Sequence, residues 1–270
     1  MDIREELGGW SAPASDSDNP STISIVIICA YVPCIAIAEV VGAFFGALPG
    51  ALCDAVLIPV LLSHYALTPE KPHRRLLAAL ALIPLLDLLS FAMPIRLVPQ
   101  IYWYALVGAP LLIAAALTAR LLALSWSDIG LRLRRWPWQI LIGASGLPLG
   151  LVAFLILQPK PLFAAPTWPG MAISAVILVV FAALTEEIIF RGLLQTTAED
   201  TLGPLSVLYS STLFAIAYVG SLSLAYVLFM QLVGLLFGWC FRRTGSIWGT
   251  TLAHSLLNIG LIVVWPYLLH

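Results

Sequence analysis

Charge is the scarcest feature of this sequence. Only 10% of the 270 residues are charged, whereas 61% are hydrophobic, and the mean hydropathy is +0.99. A water-soluble domain of this length does not have such a composition, so we expect an integral membrane protein with lipids as partners. The net charge of -1 and the lack of a basic stripe exclude nucleic acid as a partner.

Alternation of apolar and polar residues is also missing, which excludes an outer-membrane barrel. A helical span needs roughly 20 apolar residues. The sequence therefore predicts an all-α, polytopic transmembrane helix bundle of about eight or nine spans. The expected spans lie near residues 23–47, 50–67, 75–93, 101–124, 138–157, 169–197, 204–221, 223–241 and 246–265.

Cysteine is rare in this sequence, and no two cysteines have the spacing of a metal-binding or redox motif. The four cysteines lie in apolar runs without a CxxC pair, which argues against disulfides and against a thiolate metal site. We interpret them as small apolar fillers. They are Cys29, Cys34, Cys53 and Cys240.

Basic residues are distributed unevenly between the two sets of loops. Nine of them fall in the N-terminal segment and in the loops after the second, fourth and eighth spans, and Arg120 near the end of the fourth span makes ten on that side, against Arg96 and Lys160 in the opposite loops. The positive-inside rule then places the N-terminus in the cytoplasm. We expect a multi-pass protein of the cytoplasmic membrane.

The positions of charged residues and prolines divide the chain into four parts. Residues 1–22 are a polar, acidic cytoplasmic tail and not a basic signal peptide. Residues 23–125 hold the N-terminal spans, which carry little chemistry. Residues 126–137 read as an interfacial linker whose arginines face headgroups, and residues 138–270 form a C-terminal domain with most of the polar residues.

The sixth expected span contains TEEIIFRGLLQ, which places three ionisable residues in an apolar helix. Such residues are costly in a membrane and are usually functional. Glu187 and Arg191 are four apart and can form a structural ion pair, while Glu186 is rotated about 100° away and can act as a general base on water. The alternative is a salt-bridge network that only locks the bundle.

Two further spans carry polar residues at helical spacing. TLAHSLLN places His254 and Asn258 on one face of the last span, where both can reach one reacting group or bond to a neighbouring helix. FAIAY places Phe214 and Tyr218 four residues apart in the seventh span.

The order of these motifs resembles a known family. Glu-Glu-x-x-x-Arg, then Phe-x-x-x-His, then His-x-x-x-Asn is the pattern of the CPBP (Abi) family of intramembrane proteases, which includes type II CAAX prenyl endopeptidases. TEEIIFRG and RRTGSIWGTTLAHSLLN are similar to its first and third motifs, and the resemblance runs from about Trp138 onward. The second motif departs, since Tyr218 stands where the family has histidine.

The resemblance implies an intramembrane endopeptidase that cleaves a membrane-associated peptide or a lipidated C-terminus. Glu186 and Tyr218 would activate water, and His254 with Asn258 would stabilise the oxyanion. The resemblance leaves open a divalent metal such as zinc, for which Glu186 and His254 would be the ligands. Tyr218 is a poor zinc ligand, which weakens that reading.

Two other functions remain open. Tyr218 favours a catalytically weakened or inactive family member that acts as a membrane binding or scaffold protein. Buried carboxylates would also suit a proton-coupled carrier, although the lack of an internal repeat argues against it. For the protease we expect a polar cavity among the five C-terminal spans, open toward the cytoplasmic half and shared by Glu186, His254 and Asn258. His73 is expected to be solvated in its basic loop.

Overall fold

Helices account for the regular structure of this chain. The computed structural model describes residues 22–92, 98–162 and 167–269, and these contain no β-strand. The helices are α1 (Thr22–Phe45), α2 (Ala47–Leu67), α3 (Lys71–Leu80), α4 (Leu82–Phe91), α5 (Gln100–Leu121), α6 (Trp136–Ala144), α7 (Gly146–Leu157), α8 (168–202), α9 (Ser206–Ile216), α10 (Leu224–Thr244) and α11 (Trp248–Leu269). The polar tail predicted for residues 1–22 lies outside the described residues except for Thr22.

Seven helical stretches of the described residues are long and apolar enough to cross a membrane. One of them, Trp168–Ser221, contains both the sixth and the seventh expected spans. The third expected span corresponds to α3 and α4, two ten-residue helices that meet at Ala81. The predicted all-α, polytopic bundle is confirmed, and the chain is a multi-pass membrane protein.

Helix α8 changes its winding around the acidic motif. A π-helical segment at Leu178–Leu184 and another at Ile188–Gln195 flank the α-helical turn Thr185–Glu187. The Thr185 hydroxyl donates to the carbonyl oxygen of Val180, five residues earlier, at 3.2 Å. This spacing fits the wider π turn, and such turns are frequent at functional sites.

Small residues bring α7 close to α11. Gly146 and Gly150 form a GxxxG pattern, which favours close helix packing in membranes. A Cβ atom on Gly146 would collide with the backbone of Ala253, and one on Gly150 would lie 3.0 Å from the carbonyl oxygen of Leu257. Since Ala253 precedes His254, this contact fixes the position of the histidine.

One hydrophobic core joins the two halves of the chain. Buried residues of α1 to α5 pack in the same cluster as buried residues of α8 to α11, for example Leu111 with Phe214 and Leu257. Close packing of these side chains holds the helices together, because lipid tails are as apolar as the side chains and supply no hydrophobic driving force between helices. The N-terminal spans are therefore positioned to contribute to a site in the C-terminal half.

The basic loops meet at one end of the bundle, which we call the basic end. Arg75 pairs with Asp200 at 3.0 Å, and Arg242 pairs with Glu199 at 3.0 Å. Arg135 of the linker donates to the carbonyl oxygen of Arg243 at 2.9 Å. This linker arginine, expected to face headgroups, thus caps the end of α10, where cations are favoured.

Several ionisable residues of the N-terminal half are buried. His73, expected to be solvated, is only 2% exposed because it shares the apolar face of α3 with Leu76 and Leu77. Glu39, Asp54 and Asp87 are also buried. Both carboxylate oxygens of Asp54 lack a hydrogen-bond partner among the described residues.

Candidate active site

Helices α8 and α11 and the turn after α9 bring four of the predicted site residues together at the middle of α8, namely Glu186, Glu187, Tyr218 and His254. Glu186 and Glu187 lie in the α-helical turn between the two π segments. His254 lies in α11, held against α7 by the glycine contact. Tyr218 was expected inside a helix, but α9 ends at Ile216 and Tyr218 lies on the turn that follows.

A fully buried ion pair forms the base of the site. Arg191 Nη1 lies 3.0 Å from Glu187 Oε1, and neither side chain is more than 1% exposed. The same carboxylate oxygen lies 3.1 Å from His254 Nδ1. Glu187 therefore orients the imidazole ring while it neutralises the guanidinium.

A second chain of contacts leads from His254 to Glu186. The Tyr218 hydroxyl donates to Glu186 Oε2 at 2.8 Å and lies 3.4 Å from His254 Nε2. The direct distance between His254 Nε2 and Glu186 Oε2 is longer, 3.9 Å. Tyr218 therefore bridges the acid and the imidazole.

Aromatic rings enclose the charged groups. The Arg191 guanidinium carbon lies 4.2 Å from the centroid of the Phe214 ring, within the range of a cation–π contact. Phe214 also meets the rings of Tyr218 and His254 edge to face, at 5.2 and 5.7 Å between centroids. Phe214 thus excludes water from the ion pair and fixes both rings.

A cavity of about 250 Å³ adjoins Glu186 and Tyr218. Its other walls come from α4, α5 and the first π segment of α8, and most of the lining is apolar or aromatic. The Glu186 side chain is 20% exposed, in contrast to the fully buried Glu187. Glu186 is therefore the acid that can meet water or a substrate.

The location of this cavity corrects two expectations. It extends from Glu186 to Ser90 in the last turn of α4 and Gln100 at the start of α5, away from the basic end, so it does not open toward the half that we took as cytoplasmic. The reason is that α4 ends, α5 begins and α9 ends at this side of the bundle, leaving space between them. The N-terminal spans supply one wall, so the cavity is not confined to the five C-terminal spans as expected.

His254 and Asn258 do not line this cavity. His254 is fully buried and lies behind the Tyr218 hydroxyl. Asn258 lies one helical turn further along α11, is 8% exposed, and has no hydrogen bond to the other three residues within the described part of the chain. The structure thus joins Glu186, Tyr218 and His254 but leaves Asn258 apart.

Sequence reasoning did not find the residues of α5 that face Glu186. Trp103, Tyr104 and Val107 line the cavity, with Tyr104 near enough to Glu186 to interact electrostatically. They recur at helical spacing on one face of α5, as packing residues do. Their aromatic character is also typical of a membrane-interface belt, so the sequence offered no signal that separated them from the many other aromatic residues.

Two protonation patterns satisfy the contacts of the cluster, one with a charged His254 and one with a neutral imidazole and a protonated Glu186. If His254 is an imidazolium, Nδ1–H donates to Glu187, Nε2–H donates to the Tyr218 oxygen, and the tyrosine proton donates to Glu186. Two carboxylates then balance Arg191 and His254, so the buried cluster carries no net charge. Buried charges are tolerated when they are paired in this way.

The residues fit a metal ion poorly. A catalytic zinc site has about three protein ligands, whereas no group of three or more His, Cys, Asp or Glu residues in the described ranges could hold a metal. The Tyr218 hydroxyl lies between Glu186 and His254, and the other nitrogen of His254 faces Glu187. We therefore derive no chemical step through a metal.

Comparison with known proteins supports the resemblance. Residues 166–260 match the family model described as type II CAAX prenyl endopeptidase Rce1-like. No curated protein and no solved structure matched the chain. The matched segment contains Glu186, Tyr218 and His254, and the match is consistent with the CPBP family.

Proposed function

We propose, starting from the family match of residues 166–260, that the protein is a slow intramembrane endopeptidase. It would hydrolyse a membrane-associated peptide or a lipidated C-terminus with water activated by Glu186. The observation that carries the proposal is that Glu186 and Tyr218 face one cavity while hydrogen-bonded to each other at 2.8 Å.

Glu186 has the features of a general base. Its carboxylate borders the cavity, and its partner Glu187 is committed to Arg191 and His254. A water in the cavity could transfer a proton to Glu186 as it attacks a carbonyl carbon, which forms the new C–O bond. Glu186 would then return the proton to the leaving nitrogen as the C–N bond breaks.

Tyr218 would serve as a proton donor toward the reacting carbonyl. The phenol oxygen lies 3.4 Å from His254 Nε2, and a proton donated from that nitrogen would make the tyrosine O–H a stronger donor. When substrate enters, this O–H could turn from Glu186 to the developing oxyanion. His254 would act through the tyrosine, which takes the place of the direct contact that the family resemblance implies.

The rate should be low because tyrosine lacks the basicity of histidine. A histidine titrates near pH 6.5 and shuttles protons at neutral pH, whereas tyrosine titrates near pH 10. General acid–base assistance contributes typically 10²- to 10⁴-fold. We expect turnover to be reduced within that range.

The cavity suits an apolar substrate segment delivered from the bilayer. Its lining is mainly apolar or aromatic, from Leu86 on α4 through Val107 on α5 to Phe181 on α8. If the basic end is cytoplasmic, as the positive-inside rule predicts, the cavity faces the outer half of the membrane. That orientation, with the N-terminus in the cytoplasm, is part of the proposal.

A second function is favoured by one observation. The Tyr218 ring lies between the cavity and the buried His254, so the imidazole cannot contact a substrate in this arrangement. A family member with its histidine covered could bind membrane peptides or lipidated proteins without cleaving them. Such a protein would be a membrane binding or scaffold protein.

Cleavage of a membrane-peptide library in proteoliposomes separates the two functions. We expect slow cleavage by the wild type, faster cleavage by Tyr218→His, and further loss in Tyr218→Phe, which removes the proton donor. Tyr209→Phe is the matched control, since Tyr209 is a buried tyrosine whose hydroxyl donates to the carbonyl oxygen of Ile28 and not to a residue of the Glu186 cluster. Unchanged binding with no cleavage by any of these proteins would establish the scaffold function.

A further inference from the structure

A buried histidine near the basic end lacks hydrogen-bond partners. His73 is 2% exposed, and neither ring nitrogen has a partner among the described residues. Buried polar groups are nearly always paired, because an unpaired donor or acceptor loses its hydrogen bonds to water without replacing them. His73 does not take part in the cluster around Glu186, so its burial needs a separate explanation.

His73 is one of the residues that line a cavity of about 220 Å³ between α1, α2 and α3. His64 and Thr68 at the end of α2 contribute further polar groups. The Tyr31 hydroxyl lies 3.0 Å from His64 Nδ1 and fixes that ring. Two imidazoles and the Thr68 hydroxyl, which donates to the carbonyl oxygen of His64, therefore border one space that is large enough for a ligand headgroup.

The charges around this cavity favour an anion. Helix α3 begins beside it at Lys71, and its first turn contains Arg74 but no acidic residue. The unpaired backbone N–H groups of a helix start attract anions, and added basic side chains strengthen that preference. The Arg74 guanidinium lies over the Tyr65 ring at 5.8 Å, which holds the charge close to the end of α2.

We infer that this cavity binds a phosphate group, with the phosphate of an anionic membrane lipid as the favoured source. One orphan nitrogen of His73, which carries the proton of the neutral ring, would donate to a phosphate oxygen, and the backbone N–H groups of Lys71 and His73 would donate from the start of α3, where Pro72 has none. Ile28, Leu67 and Leu77 form the apolar part of the lining. A lipid that enters from the bilayer could place its acyl chains there, whereas free phosphate could not use this surface.

One carboxylate beside the cavity should repel an anion, and its removal therefore tests whether the ligand is negatively charged. Glu70 lines the mouth of the cavity and is exposed, so water screens its charge. Replacing it with glutamine removes a repulsive charge without changing the shape of the side chain. Glu70→Gln should therefore bind an anionic ligand a few-fold more tightly than the wild type.

Binding can be measured by native mass spectrometry and thermal shift on the full-length protein in neutral detergent. The probes are dioctanoyl phosphatidylglycerol, inorganic phosphate and dioctanoylglycerol, which lacks the phosphate. We expect the first probe to bind, with at least 10-fold weaker binding by His73→Leu and partial recovery in His73→Gln. Arg134→Gln, which removes one exposed positive charge outside the cavity, should change binding less than two-fold.

Each outcome decides a different point. Binding of inorganic phosphate alone would support the phosphate site and name free phosphate as its source. Equal binding of dioctanoylglycerol would show an acyl-chain groove and overturn the inference, as would phosphatidylglycerol binding that is unchanged in His73→Leu. If His73→Leu does not fold, the Glu70→Gln variant still tests the inference. Phosphatidylglycerol binding that is unaltered or weaker in Glu70→Gln would contradict the binding of an anion in this cavity.

Discussion

Removing Arg191 should destabilise the protein more than removing any surface arginine. In Arg191→Ala, the carboxylate of Glu187 loses its partner at 3.0 Å in a fully buried position. Breaking a buried pair by deleting one partner typically costs 3–5 kcal/mol. The contact with the Phe214 ring at 4.2 Å is lost as well, and desolvated cation–π contacts contribute about 2 kcal/mol.

These contributions overlap, so we expect a total loss of about 4 kcal/mol in the free energy of unfolding. The matched control is Arg75→Ala. Arg75 pairs with Asp200 at the same 3.0 Å, but the two side chains are 22% and 46% exposed. Exposed pairs contribute about 0–1 kcal/mol, so the control should lose little stability.

Unfolding of purified protein in mixed micelles, followed as a denaturant titration, measures both variants. Arg191→Met combined with Glu187→Gln should recover much of the loss, because it replaces the stranded charge with neutral groups of similar volume. Equal stability of Arg191→Ala and Arg75→Ala would refute the reasoning, since it would mean that water reaches Arg191 and Glu187.

Two more predictions concern other parts of the fold. Gly146→Ala should cost about 1–3 kcal/mol and displace His254, because the added methyl collides with Ala253, whereas Gly220→Ala, which faces open space, should be neutral; unfolding titrations and cleavage assays check both. Burial lowers the pKa of His73, so the ligand-free protein should lose stability as the pH falls through about 6.5. This pH dependence should flatten in His73→Leu, and a wild type equally stable at pH 5.5 and 7.5 would contradict it.

The spacing of residues within one helix was enough to predict part of the site. Glu187 and Arg191 are four apart, and this local geometry holds although a π segment begins between them. The different environments of Glu186 and Glu187 also follow from their rotation about the helix axis. Local spacing is reliable because it depends on a single element.

Features that depend on several helices were not predictable in this way. The cavity wall from α5 requires that Tyr104 and Glu186, far apart in sequence, face each other across the bundle. Tyr218 lies where α9 has already ended, so its position depends on a turn and not on helical spacing. The burial of His73 had a signal, since Leu76, Leu77 and Leu80 place an apolar stripe on its face of α3, but the adjacent basic residues suggested a solvated loop.

The central claim is that Glu186 activates water for peptide-bond hydrolysis. The most direct measurement is the turnover of a membrane-embedded peptide by Glu186→Gln, which keeps the shape of the side chain but removes the base. Glu39→Gln is the control, because it neutralises another buried acid outside the site. The account predicts that cleavage falls to background in Glu186→Gln while peptide binding and the Glu39→Gln activity are retained. Cleavage by Glu186→Gln at the wild-type rate would contradict it.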